Sequence, residues 1–302
     1  MVDVPFETEE VSTPVRPMKL ELIETAEQEE IWVQFPSELY KDDPNYIPSL
    51  DQDIRDVFDP KKNKVFAVEK SEVVRWLLRE EDGNVIGRIA AFVNGKTYTK
   101  EDQPTGGCGF FDCIDDQDAA NLLFDTAKEW LRQRGMEAMD GPVNFGERDK
   151  FWGVLVDGFV EQNYGMFYNA PYYQNLFENY GFKLYFNQYT YGREAHLRNN
   201  DFSESFYEKA RNSMNNPDVT FRSLSGSEIK KGPEDFHKVY KAAWGGHSGV
   251  PAMKLEQCEK MFRKLKPIYD KRLIYFGFCK DEPISFFISL PELNTLFKHV
   301  TG

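Results

Sequence analysis

Four polar residues, Asn144, Glu147, Arg148 and Asp149, follow a short apolar run at 136–143 that reads as a strand. Polar loops that leave a strand end are where binding groups collect. A carboxylate in this cluster could take a proton from an amine, directly or through water, and Arg148 could hold an anionic substrate. The same side chains could instead form an ion-pair network that fixes the loop, and the residues leave both readings open. Gly141-Pro142 ends regular pairing, Gly146 permits a tight loop, and the following FWGVLV is apolar enough to bury itself. The residues between are therefore expected at the rim of the main pocket, with Trp152 and Tyr172 or Tyr173 as its aromatic wall. Glu147, Tyr172 and Tyr173 are the candidates for proton transfer, and Asn144, Arg148, Asp149 and Trp152 those for substrate contact.

Other residue types that could do chemistry lack the spacing for it. The histidines at 196, 237, 247 and 299 have no metal-ligand spacing with one another or with the cysteines at 108, 113, 258 and 279. Cys108 and Cys113 straddle one strand-like run at an odd separation, which puts their thiols on opposite faces. GGHSG at 245–249 does not meet the G-x-S-x-G form and reads as a glycine-rich linker. GGCG at 106–109 lacks the dinucleotide pattern. Lys260, Arg263, Lys264 and Lys266 lie in one helical stretch and read as its solvated side, with a face for acidic ligands as the alternative.

The elements that must carry these residues can be read from periodicity. Residues 18–24 alternate as a strand, and Ile31, Trp32, Phe35 and Leu39 mark one face of a helix over 26–40 that Pro36 should bend or break. A short helix is expected at 51–58. Runs at 65–68, 73–79 and 85–93 are β-rich, the last two joined by a turn at Asp82-Gly83. A glycine-loosened strand, 106–114, then feeds a long helix capped by Asp115 or Asp116 and stopped by Gly135, in which Ala119, Leu122, Leu123, Ala127, Trp130 and Leu131 recur at helical spacing. After the strand at 136–143, FWGVLVDGF (151–159) reads as a buried turn or short helix. A helix at 171–180 is stopped by Gly181, and FKLYFNQYTY (182–191) reads as an aromatic strand. Beyond a connecting helix at 201–214, a strand, two helices and a hairpin repeat the opening order of the first half.

The order implies an α+β fold, a mixed, mainly antiparallel sheet with flanking helices, followed by a partial second unit of the same type. Expected boundaries are an acidic arm at 1–17, a first domain at 18–198, a connecting helix and turn at 199–218, and an apparently incomplete second domain at 219–302. Charge follows this division: residues 1–200 hold 21 basic and 37 acidic side chains, and 201–302 hold 16 and 13. A net charge of −13 argues against a general nucleic-acid binder. No run is long and apolar enough to span a membrane, no signal layout opens the chain, and the scattered cysteines give no disulfide framework, so a cytoplasmic protein acting on a small molecule is expected.

The element order and the run Leu176-Phe177-Glu178-Asn179-Tyr180-Gly181-Phe182 resemble the GNAT superfamily of N-acetyltransferases, whose members carry an LYxxxGF helix before their last strands. The longer run GPVNFGERDKFWGVLVDGF resembles a group of bacterial proteins that join two such domains. The resemblance covers about 18–194 well and 219–302 in part. It implies an acyltransferase using acetyl-CoA or another acyl-CoA, with the coenzyme along Cys113, Ile114, Asp115 and Gln117, and an amine acceptor. The family's tyrosine acid falls on Phe177, which has no proton to give, and Tyr172 and Tyr173 lie one turn earlier. Its pyrophosphate loop falls on 115–121, which has no glycine and three carboxylates; a carboxylate ~7 Å from a phosphate charge costs roughly 2–3 kcal/mol at an effective dielectric of about 20. Asp115, Asp116, Asp118 and Phe177 therefore also support a second reading, a non-catalytic binding module of the same fold.

Overall fold

A computed structural model describes residues 17–99, 103–146, 150–193, 202–225, 228–245 and 253–299. Two compact units emerge. The first comprises the described residues within 1–187 and 293–302, and the second those within 188–292.

In the first unit, β1 (Met18–Leu22), β2 (Glu72–Glu80), β3 (Val85–Val93), β4 (Thr105–Cys113) and β5 (Ala138–Asp140) form a sheet in that order. Pairing is antiparallel from β1 to β4, and β4 and β5 run parallel. Gly83 at φ +90° makes the β2–β3 turn expected at Asp82-Gly83. The parallel step is spanned by α3 (Gln117–Arg132), which buries Ala119, Leu123, Ala127 and Leu131 on the sheet, the face its periodicity marks. Asp116 caps it by accepting from Asp118 N (2.9 Å) and Ala119 N (3.1 Å). The opposite face of the sheet is covered by α1 (Ala26–Leu39) and α2 (Asp51–Phe58), through Trp32, Ile54, Leu77, Ala90 and Phe110.

Three local readings are corrected. Pro36 does not break α1, which runs through it and carries a capping box at Thr25. The 65–68 run is not a strand. A 3-10 turn, Lys64–Ala67, forms there because the Asn63 side chain accepts from Val65 N (3.0 Å) and draws the chain into a turn. The 182–191 run forms no strand and joins neither sheet, and Leu184, Tyr185, Phe186, Tyr189 and Tyr191 are exposed. Alternation supplies a strand's faces, but a strand also needs a neighbour for its N–H and C=O groups. By contrast α4 (Tyr173–Tyr180) ends as expected, at a left-handed Gly181 (φ +114°). Its Phe177 packs on Phe111 and Phe124, joining α3 to α4.

The second unit contains α5 (Glu204–Asn215), β6 (Val219–Ser223), α6 (Glu228–Trp244), α7 (Leu255–Leu265) and a β7–β8 hairpin (Ile274–Cys279, Glu282–Ile288), and its sheet is ordered β6-β7-β8. From β6 onward this repeats the order β1, α1, α2, β2, β3. Phe236, Phe262, Phe276 and Phe278 form its core. Lys280 and Asp281, both at positive φ, make the hairpin turn. In the first unit, α8 (Asn294–Phe297) follows.

Candidate functional site

The site grows from the place where β4 and β5 part. They pair over Thr105–Gly107 against Ala138–Asp140, and after Asp140 the chain stays on β4 only as far as the Val143 N–H bond to Cys108 O (2.8 Å). Opposite Ile89, β4 carries an extra residue: Arg88 faces Asp112 and Ala90 faces Gly109, with Phe110 at φ +49°. Such a bulge re-aims the residues that follow, and bulges concentrate beside active sites. Beyond it, the edge that β5 has left is occupied by two tyrosines of the α4 region. Cys113 N donates to Tyr173 Oη (2.9 Å), and Tyr172 Oη donates to Cys113 O (2.8 Å).

Through this opening, groups from the two faces of the sheet meet. Tyr40, at the end of α1, donates to Tyr173 Oη at 2.6 Å, and the two hydroxyls lie 3.4 and 3.5 Å from Asp112 Oδ1. Asp112 Oδ2 accepts from Arg88 Nε at 2.7 Å, and both residues are buried, at 6% and 2% exposure. Arg88 is fixed by a consequence of Pro36. Proline has no N–H to give the carbonyl four residues back, which here is that of Trp32, and Arg88 Nη1 donates to that carbonyl at 2.5 Å. The guanidinium also lies over the Trp32 ring, 4.4 Å from its centroid. Burial pushes the Asp112 carboxyl up from its ordinary value, against the lowering effect of Arg88. Burial likewise raises the Tyr40, Tyr172 and Tyr173 hydroxyls, leaving all three protonated and able to donate.

Two small cavities flank Asp112. One, of about 20 Å³, lies among α1, the 46–51 segment, α2 and Arg88, and the other, of about 10 Å³, lies in the split beside Phe111, Gly153, Tyr173 and Phe177. Asp112, Phe167 and Tyr168 border both.

The sequence-derived residues divide among several places. Tyr173 lines the split. Tyr172 lines neither cavity but closes the β4 edge. Asn144 is buried beside the fully buried Phe145 and lines neither cavity, as does Trp152, which packs on Phe186 with ring centroids 5.9 Å apart. Glu147, Arg148 and Asp149 lie outside the described residues.

Of the residues expected along the coenzyme, Cys113 is fully buried and Ile114 N bonds Ile86 O, while Asp115 is exposed in the turn before α3. Gln117 Nε2 donates to Asn121 Oδ1 (2.9 Å) and Leu176 O (3.2 Å), and its Oε1 accepts from Asn179 (3.1 Å), so it ties α3 to α4. A pyrophosphate at the start of α3 would need N–H groups that the Asp116 carboxylate already holds, among three neighbouring acids. The residues there do not fit that group as they stand. Among the described residues no three metal-ligating side chains gather, and no helix is long and apolar enough to cross a membrane.

Sequence reasoning passed over Arg88, Asp112 and Tyr40. A signal existed: Arg88 in VIGRIAAFV and Asp112 in GFFDC are lone charges inside strands whose other residues read as buried. Buried charges are almost always paired, so two such strands invite the pairing.

Four antiparallel strands, a long helix, and a parallel fifth strand that soon departs make the layout the sequence resemblance implied. The first unit is GNAT-like in strand order. No family model matches the chain. Protein YghO of Escherichia coli (strain K12) is 23% identical over 275 residues, which cover 90% of this chain and 67% of YghO. A bacterial ceramide synthase of Caulobacter vibrioides (strain NA1000 / CB15N) is 25% identical over 301 residues, covering 99% of this chain and 75% of that protein. Among solved structures, the GCN5-related glucosamine N-acetyltransferase region of a fungal multi-domain GH3 β-N-acetylglucosaminidase is similar over 90% of this chain and 28% of its own, with 11% identity and a TM-score of 0.44. A proposed acetyl transferase from Pyrococcus furiosus is similar over 59% of this chain and all of its own, with 12% identity and a TM-score of 0.35.

Proposed function

We propose that the first unit is an acyltransferase that moves an acyl group from an acyl-CoA to an amine. The observation that carries this reading is Asp112, a buried carboxylate between two cavities at the point where β4 and β5 separate. An amine arrives as ammonium and must lose a proton before it can attack a carbonyl. Asp112, with its proton affinity raised by burial, is suited to take that proton. Tyr173, or Tyr172 beside it, is suited to give one to a departing thiolate, since both hydroxyls stay protonated and point at the β4 edge. The ceramide synthase relative supports amide formation as the reaction class, since ceramide is an N-acylated amine. Because the start of α3 does not fit a pyrophosphate, the reading rests on the thioester end of the donor.

The test is release of free thiol from acetyl-CoA and longer acyl-CoAs, with a panel of primary amines and the full chain. Amine-dependent release that Asp112→Asn lowers by about 10²–10⁴-fold, the usual worth of a general base, supports the reading. The second reading, a non-catalytic binding module, is favoured by the smallness of the two cavities and by Phe167 at both. It would prevail if no acyl-CoA raised the melting temperature or released thiol.

A further inference from the structure

Within α1 stands a residue that a helix interior rarely tolerates. Pro36 has no N–H for the carbonyl four residues back, and its ring presses against that carbonyl, so it weakens the helix that contains it. The helix nonetheless continues, with Tyr40 N bonded to Pro36 O at 2.9 Å. Trp32, Pro36 and Tyr40 are spaced by four and share one buried face. Each meets the surroundings of Asp112. Trp32 touches Arg88, Pro36 borders the larger cavity, and Tyr40 Oη lies 3.4 Å from Asp112 Oδ1.

Trp32 holds Arg88 in two ways. The guanidinium lies over the indole, a contact that keeps it on the ring face but lets it slide and turn there. The Nη1 bond to the Trp32 carbonyl, at 2.5 Å, removes that freedom. In a rigid planar fork, fixing Nη1 also fixes the direction of Nε–H, which meets Asp112 Oδ2 at 2.7 Å. With Oδ2 taken, Oδ1 stays toward the hydroxyls of Tyr40 and Tyr173. An N–H at position 36 would draw the Trp32 carbonyl back into the helix ladder. Arg88 would then keep the ring contact and a 3.5 Å approach to Val33 O.

Several elements bring titratable groups to Asp112. Tyr40 comes from α1, Tyr46 and Asp51 from across the larger cavity, and Tyr172 and Tyr173 from the α4 region. Tyr168 borders both cavities, and Cys113 is next in β4. Among the described residues lining the two cavities, Arg88 is the one cation. Its placement therefore matters to Asp112, whose carboxyl is raised by burial and lowered first by Arg88.

We propose that Pro36 is a positioning residue for Asp112: by withholding an N–H from the Trp32 carbonyl it keeps that carbonyl for Arg88, which holds one oxygen of Asp112 and leaves the other facing Tyr40 and Tyr173. The proposal rests on the acyltransferase reading for what Asp112 then does with a proton. It sets helix stability against the fixed carboxylate, so the two should move apart on substitution.

The experiment is Pro36→Ala in the full chain, with and without Arg88→Lys. It is read by the NMR carboxyl shift of Asp112 against pH, by thermal melts and by amine-dependent thiol release from acyl-CoA. Alanine restores the N–H, so Pro36→Ala should melt no lower than wild type. Its Asp112 carboxyl should titrate at higher pH, because Arg88 is less firmly held on it. The acid limb of thiol release should move up with it, and kcat should fall about tenfold with KM for the amine within about twofold. One ammonium cannot bond both Asp112 and the carbonyl, so in the Arg88→Lys background Pro36→Ala should leave the titration and kcat unchanged. An unmoved Asp112 titration, an equal effect in the Arg88→Lys background, or a Pro36→Ala chain that melts far below wild type would overturn the proposal. If wild type releases no thiol from any acyl-CoA yet Pro36→Ala still moves the Asp112 titration, the enzyme reading is removed and the role of Pro36 stands. If amines release thiol and that titration does not move, the role of Pro36 is removed and the enzyme stands.

Discussion

Replacing Asp112 tests the buried pair on which the site is built. Arg88 and Asp112 are almost fully buried, with Nε and Oδ2 2.7 Å apart. Removing one partner of a buried pair costs about 3–5 kcal/mol, because the other charge is left without its counter-charge. Asp112→Ala should reach that range. Asp112→Asn should cost less, about 2–3 kcal/mol, since an amide oxygen can still accept from Nε with roughly half the strength of a charged acceptor. A double variant, Arg88→Met with Asp112→Leu, removes both charges and leaves the Trp32 carbonyl and the Tyr173 hydroxyl proton without their partners. It should lie within about 2 kcal/mol of wild type, far from the sum of the single effects.

The readouts are urea unfolding at constant m and hydrogen exchange at the Cys113 amide, which bonds to Tyr173. The pH dependence has a fixed sign. The folded carboxyl is raised above its ordinary value of 3.8, so between that value and the folded one the native state keeps a proton that the unfolded chain has lost. Stability relative to Asp112→Asn is therefore greatest at low pH and declines as pH rises through that window. An Asp112→Ala cost under about 1 kcal/mol, additive single effects, or stability that rises across the window would refute the reasoning.

Other consequences follow from the same opening in the sheet. Tyr173→Phe should cost about 1–3 kcal/mol, because it strands the Cys113 N–H and the Tyr40 hydroxyl, whereas Tyr172→Phe, which strands one carbonyl, should cost about 1 kcal/mol; thermal melts of the two variants give the ranking. Asp116→Ala should cost about 1 kcal/mol of helix capping yet raise affinity for acyl-CoA if a pyrophosphate ever uses that helix end, and calorimetry that finds affinity unchanged would assign Asp116 to capping alone. Gly109→Ala should destabilise by more than about 3 kcal/mol, since its Cβ would come within 1.9 Å of Val143 O and force the two backbones apart; a melt near wild type would show that they can separate.

Periodicity was enough for elements that bury one face on a neighbour close in sequence. α3 shows this, with Asp116 at its start, one apolar face and a glycine after its end. The 182–191 run shows the limit, since its alternation is a property of side chains and pairing is a property of backbone neighbours. The site was less legible for another reason. Its members are Tyr40, Arg88, Asp112 and Tyr173, separated by 24 to 133 positions and joined only where the sheet opens. A local cluster such as Asn144 to Asp149 draws attention because its members are adjacent in sequence. What distinguishes Arg88 and Asp112 is that each is a charge in the wrong company, and a periodicity template gives that no weight.

The two tyrosines at Cys113 bear on how a closed split could still serve a reaction. Where β5 leaves, the Cys113 N–H and C=O would be exposed strand-edge groups, and burying them unpaired would cost about 1–3 kcal/mol each. Tyr173 and Tyr172 pair both. An extended ligand with its own amide could take over those two bonds, and the exchange of two neutral hydrogen bonds for two others is nearly neutral. The hydroxyls therefore hold the edge without locking it. Phe167 differs, because displacing it would break ring contacts with Phe110 (5.3 Å) and Phe151 (5.4 Å) and expose apolar surface that a polar ligand could not cover. An acyl chain could cover it. The side of the split that resists opening is thus apolar and the side that yields is polar, which suits a ligand with an amide at one end and a hydrocarbon at the other.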